Sequence, residues 1–112
     1  MRCSFAEKSL TLMSSPKFRL IFTKRAQNDL RSIEIYTEMH WGTDKADEYE
    51  ASINQTIEII RENPGIGRRV FEDRLGLRYW PAGQHVVYYR IARESLTIVR
   101  ILHGRADALR HL

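Results

Sequence analysis

His85-Val86-Val87-Tyr88-Tyr89-Arg90-Ile91-Ala92, then Arg93-Glu94-Ser95, then Leu96-Thr97-Ile98-Val99-Arg100-Ile101-Leu102-His103: these nineteen consecutive residues decide the fold. The outer two runs are rich in β-branched and aromatic side chains, and the middle three residues are a polar break, so the stretch reads as strand, tight turn, strand. A loop that short makes the two strands antiparallel neighbours. Side chains alternate along a strand. Tyr88 and Arg90 therefore share one face and Tyr89 and Ile91 the other, while Arg100 and Leu102 stand opposite Ile101 and His103.

Upstream, Leu77-Arg78-Tyr79-Trp80 reads as a further strand that ends at Pro81-Ala82-Gly83, and Arg69-Val70-Phe71 as a short one. Before these the period changes from two to 3.6. Thr23 is suited to cap a helix starting near Lys24, whose apolar positions are Ala26, Leu30, Ile33 and Thr37. Met39-His40-Trp41-Gly42 closes it, with Gly42 fit for a left-handed terminal position. Thr43 or Asp44 opens a second helix, with Ala46, Tyr49, Ile53, Ile57 and Ile60 on one face and Asn63-Pro64-Gly65 as its stop. So short a connection folds the helices into an antiparallel hairpin. Lys17-Phe18-Arg19-Leu20-Ile21-Phe22 alternates and reads as the first strand. The order is β-α-α-β-β-β, an α+β fold with the helical hairpin laid on a small, mostly antiparallel sheet. Residues 17–112 make one domain. Residues 1–16 end in the breaker Ser14-Ser15-Pro16 and are expected to be a flexible extension, with Met13 an alternative start.

Charge is unevenly placed along the chain. Residues 1–27 hold six basic and one acidic side chain (+5), residues 28–62 three basic and nine acidic (−6), and residues 63–112 nine basic and four acidic (+5). All nine basic residues of the last part are arginines, whose planar forks suit phosphates and carboxylates. The lone Cys3 excludes an internal disulfide framework and fits a reducing cytoplasm. No apolar run approaches the roughly 20 residues of a membrane span, and Glu7 and Lys8 interrupt the one stretch that resembles a signal peptide.

Several local patterns, taken in order, resemble the ParE/RelE superfamily of bacterial toxins, and the ParE branch in particular. They are Ala26-x-x-Asp29-Leu30 with Ile33-x-x-Tyr36; Trp41-Gly42 between the helices; Ile60-x-x-Asn63-Pro64-x-x-Gly67; Leu77-Arg78; His85-Val86-Val87-Tyr88-Tyr89-Arg90; and Ile101-Leu102-His103-x-Arg105-x-Asp107. The resemblance runs from about Lys17 to Leu112. It implies the toxin half of a type II toxin–antitoxin pair, cytoplasmic and joined in a hetero-oligomer with a separately encoded antitoxin. ParE-like toxins act on DNA gyrase, whereas RelE-like relatives cleave mRNA on the ribosome, and fold alone does not choose between them.

Ribosomal cleavage needs an acid or base and a cation for the crowded phosphate. The residues for it here are His103, Arg78, Arg90 and Tyr88, with Tyr89, Arg100 and Arg105 as further candidates. A histidine at a strand end is more commonly a backbone-bonded residue than a catalyst. The acidic second helix (Asp44, Asp47, Glu48, Glu50, Glu58, Glu62) would be repelled by RNA phosphates. The chain therefore reads as a toxin that binds a protein target, DNA gyrase, with no catalysis of its own; the alternative is the mRNA endoribonuclease. Target binding is assigned to His103, Arg100, Arg105 and Asp107. Arg68, Arg69, Arg78 and Arg90 are assigned to an acidic antitoxin segment. No cofactor is implied. His103, Asp107 and His111 are spaced as metal ligands on a helix, but Gly104, Arg105 and Arg110 argue against a metal, and none is expected.

Overall fold

The computed structural model of the chain describes residues 18–70 and 76–104. Its elements are β1 (Arg19–Phe22), α1 (Lys24–Trp41), α2 (Thr43–Glu62), a 3-10 turn (Pro64–Ile66), β2 (Arg68–Arg69), β3 (Arg78–Ala82), β4 (His85–Ile91) and β5 (Ser95–His103). The five strands form one sheet in the order β1-β5-β4-β3-β2. β1 runs parallel to β5 and every other pair is antiparallel. The α+β architecture matches the expectation, with four described strands after the hairpin where the order β-α-α-β-β-β has three; the two-residue β2 is the addition. The extension before residue 17, the end of the short strand at Phe71 and everything after Gly104 lie outside the described residues.

Local chemistry sets the helix ends. Thr23 accepts the Ala26 N–H at 3.0 Å, and its own hydroxyl donates 2.8 Å to the Val99 carbonyl, so one side chain both caps α1 and ties it to β5. Gly42, at φ 92°, takes the backbone where an L side chain is strained, and α2 starts at the next residue. Ile53, Ile57 and Ile60 of α2 are buried in one core with Val87, Tyr89, Leu96, Ile98 and Ile101 from β4 and β5, and Ala46 is buried near the start of α2. Each buried isoleucine contributes about 1.5–3 kcal/mol relative to an exposed one.

The structure differs from the expected strand boundaries in two places. β3 does not stop at Pro81: it continues to Ala82, with Pro81 in register with Val86. β2 reaches only as far as Tyr79, so β3 is an edge strand at Pro81 and the missing N–H costs no ladder bond there. Gly83 and Gln84 then make a two-residue hairpin, with Gly83 at φ 65°. The short strand comprises Arg68–Arg69, one residue earlier than expected.

In β5 the register slips: Tyr88 pairs with Arg100 but Tyr89 with Ile98, so Val99 is a bulge residue. β1 ends opposite Ile98, leaving the β5 edge bare beyond it. α1 supplies the missing partners. Thr23 takes the Val99 carbonyl, and the Asp29 carboxylate accepts the Ile101 N–H at 2.9 Å.

Candidate functional site

Strand register sorts the arginines. Arg78 pairs with the buried Tyr89 and so lies on the helix-covered side, where it donates 2.8 Å to the Gly67 carbonyl. Arg69 pairs with Arg78 and shares that side, while Arg68 pairs with Tyr79 on the open face. Tyr88 also stands on the open face, its ring 6.1 Å from that of Tyr79. Burial and the neighbouring Tyr79 raise the Tyr88 pKa above its ordinary value. Arg90, two residues on, shares this face, and its Nε is buried without a hydrogen-bond partner among the described residues. The open face is thus a shallow surface of two tyrosines flanked by arginines.

Arg100 leaves the sheet opposite Tyr88 but is not displayed there. Its guanidinium makes two bonds to Asp29, Nε to Oδ2 at 2.8 Å and Nη2 to Oδ1 at 2.9 Å, with both side chains 14% exposed. This bidentate geometry raises the Arg100 pKa. Its hold on α1 makes it a structural clamp in this fold. Of the residues assigned to target binding, Arg105 and Asp107 lie outside the described residues.

His103 occupies the opposite side of the sheet from Tyr88 and Arg90. It is paired in register with His85, their rings edge-on with centroids 5.5 Å apart. The Tyr49 hydroxyl is 2.7 Å from His85 Nδ1 and accepts the Gln84 N–H at 2.9 Å. Burial, then the adjacent His103, lower the His85 pKa, with Asp29 pulling weakly the other way. Beneath the Tyr49 ring lies Gly83, where a Cβ would come within 2.7 Å of Cε1. This network fixes α2 to the β3–β4 turn at the point where the helical hairpin overhangs the end of the sheet.

The overhang shelters a cavity of about 600 Å³ whose walls include Tyr36, Trp41, Tyr49, His85 and His103. The hairpin also exposes Ile35 and Met39 at 52% and 77%, next to the cavity-lining Tyr36 and Trp41 at 59% and 69%. Among the described residues no three His, Cys, Asp or Glu side chains gather to hold a metal, and no helix is long and apolar enough to cross a membrane.

The four nuclease candidates are therefore divided: Tyr88 and Arg90 on the open face, His103 and Arg78 on the other. Sequence reasoning did not single out Tyr49, His85 or Asp29 as functional. Tyr49 read only as part of an apolar helix face, and nothing in a 36-residue separation signals a bond to His85.

The profile of the family described as "ParE toxin of type II toxin-antitoxin system, parDE" matches residues 20–108. Toxin ParE1 of Caulobacter vibrioides is 39% identical over 90 residues, covering 80% of this chain and 93% of the relative. Toxin ParE1 of Mycobacterium tuberculosis is 37% identical over 95 residues, covering 84% and 97%. A solved chain titled "Chromosomal ParDE TA system from P. aeruginosa" superposes with a TM-score of 0.67 over 80% of this chain and 98% of that one. At 20% identity, the last likeness is one of fold.

Proposed function

The chain belongs to the ParE toxin family of type II toxin–antitoxin systems, and from that footing we propose that it arrests growth in the cytoplasm by gripping DNA gyrase, without breaking a bond. A cognate antitoxin neutralises it by laying an acidic segment along the open, arginine-bearing face of the sheet.

The observation that carries this reading is the division of the acid–base and cationic candidates between two faces. Cleavage of a ribose-phosphate bond requires proton-transfer groups and charge-neutralising groups around one phosphorus. His103 and Arg78 have a sheet between them and the pair Tyr88 and Arg90. What the fold does offer is surface for macromolecules: an open face with Tyr79, Tyr88, Arg68 and Arg90, and an apolar hairpin end. For the antitoxin, the open face is supported by Arg68 and Arg90, cations that stand there beside Tyr79 and Tyr88 and would attract an acidic segment.

Purified toxin is to be titrated into a gyrase supercoiling reaction and, in parallel, into a translation extract with mapping of mRNA ends. Loss of supercoiling with intact transcripts is the expected result. Codon-specific cuts with undisturbed gyrase would establish the endoribonuclease reading instead.

A further inference from the structure

We infer that the overhanging end of the helical hairpin is the surface that seizes the target, and that its occupant is the cationic, DNA-handling face of a protein carrying an apolar projection. This rests on the protein-target reading above and adds the place and the chemistry of the contact.

Ile35 and Met39 lie one turn apart on the outward face of α1. Tyr36 stands beside them, its ring 4.0 Å from that of His40, and Trp41 ends the helix. Four large apolar side chains exposed together on one helix end mark an interaction site in a small protein. Tyr36 and Trp41 belong both to this patch and to the wall of the cavity, so the two are continuous. The pocket, with Tyr36, Trp41 and Tyr49 in its wall and Lys45 and Glu48 beside them, suits an anchoring side chain from a partner.

Charge selects the occupant. Residues 28–62 carry nine acidic and three basic side chains. Glu38, Asp44 and Asp47 are exposed around the hairpin turn, and the Glu48 side chain is 71% exposed against a Lys45 that is 3.8 Å away. An acidic segment is repelled here and drawn to the open face of the sheet with Arg68 and Arg90. A protein that handles DNA needs a cationic surface for phosphates, and a carboxylate-rimmed apolar end complements it. The two partners thereby use surfaces of opposite sign.

The test is the double variant Ile35→Ser/Met39→Ser, whose side chains point to solvent and carry none of the core. Wild type and variant, matched by circular dichroism, are compared for growth arrest on expression, inhibition of gyrase holoenzyme on relaxed plasmid, affinity for the cognate antitoxin, and sedimentation. Growth arrest lost, gyrase inhibition weakened by about tenfold or more and antitoxin affinity retained is the expected pattern. The proposal is overturned if arrest survives, if antitoxin affinity falls along with arrest, or if wild type alone sediments as a dimer, which would make the patch a contact between copies. A wild type that arrests growth but leaves gyrase untouched refutes the gyrase assignment alone; arrest and antitoxin binding then decide the surface. If wild type arrests nothing, both readings fall.

Discussion

Asp29 and Arg100 meet across the junction of helix and sheet, two parallel bonds of 2.8 and 2.9 Å joining the carboxylate to the guanidinium. The same carboxylate takes the Ile101 N–H, so it replaces strand β1 at the place where β1 has ended. Removing it takes two charge-assisted bonds from a mostly buried arginine and the acceptor from a backbone donor. Asp29→Ala should cost about 2–4 kcal/mol, read as a lower urea midpoint at unchanged slope. A loss under about 0.5 kcal/mol, the level of an ordinary surface substitution, would show that water replaces the clamp.

Tyr89 spans the core from β4 to the 3-10 turn. Its hydroxyl donates 2.6 Å to the Pro64 carbonyl and accepts the Gly67 N–H at 2.8 Å. A Cβ at residue 67 would overlap that hydroxyl, so glycine is required there for close approach. Tyr89→Phe keeps the ring and strands the Gly67 donor, and should destabilise the fold by about 1–3 kcal/mol. Denaturant unfolding of the two proteins at neutral pH measures the difference.

His85 makes stability fall on the acid side of neutrality. Its folded pKa is lowered below the ordinary 6.5, so the unfolded chain binds the proton more tightly. Stability is unaffected well above 6.5 and declines as pH drops through that value toward the folded pKa. His103, Tyr49, Lys45, Glu48 and Asp29 are the titratable groups around it. Unfolding curves at pH 7.5 and pH 5.5 should show a smaller decline for His85→Gln than for wild type. Parallel declines would assign the acid sensitivity to another group.

Arg68 and Arg90 on the open face are expected to serve the antitoxin. Arg68→Glu/Arg90→Glu should weaken antitoxin binding by about tenfold or more at low salt, since like charges then meet across the contact. Thermal melts check that the variant is folded, because the Arg90 Nε is buried in the wild-type chain. Calorimetric titration at two ionic strengths reads both the loss and its screening. Equal affinity at low salt would remove the open face from the antitoxin's path.

Much of this fold could be read from side-chain period alone. The two helices, the Thr23 cap, the Gly42 junction and the β4–β5 pair stand where alternation and capping chemistry put them. Two features were hidden for physical reasons. The Val99 bulge reverses the parity of β5, placing Leu96 and Ile98 on the same side as Ile101, and no residue type announces a bulge. Pro81 looked like a terminator because the length of its neighbour β2, which makes it an edge residue, is not a local property. The site was less legible still. Arginines that looked like one surface are distributed by register to two faces and a clamp. The Tyr49–His85 bond and the overhang exist only once the hairpin has folded back over the sheet.

Strand β5 lies between β1 and β4, at the inner part of the sheet, yet it is the last of the described strands in the chain. During synthesis, therefore, the helical hairpin has no completed layer to cover until β5 emerges, and its isoleucines wait exposed. A chain halted before Ser95 lacks the strand that both β1 and β4 pair with, and its helical hairpin has no joined sheet to cover.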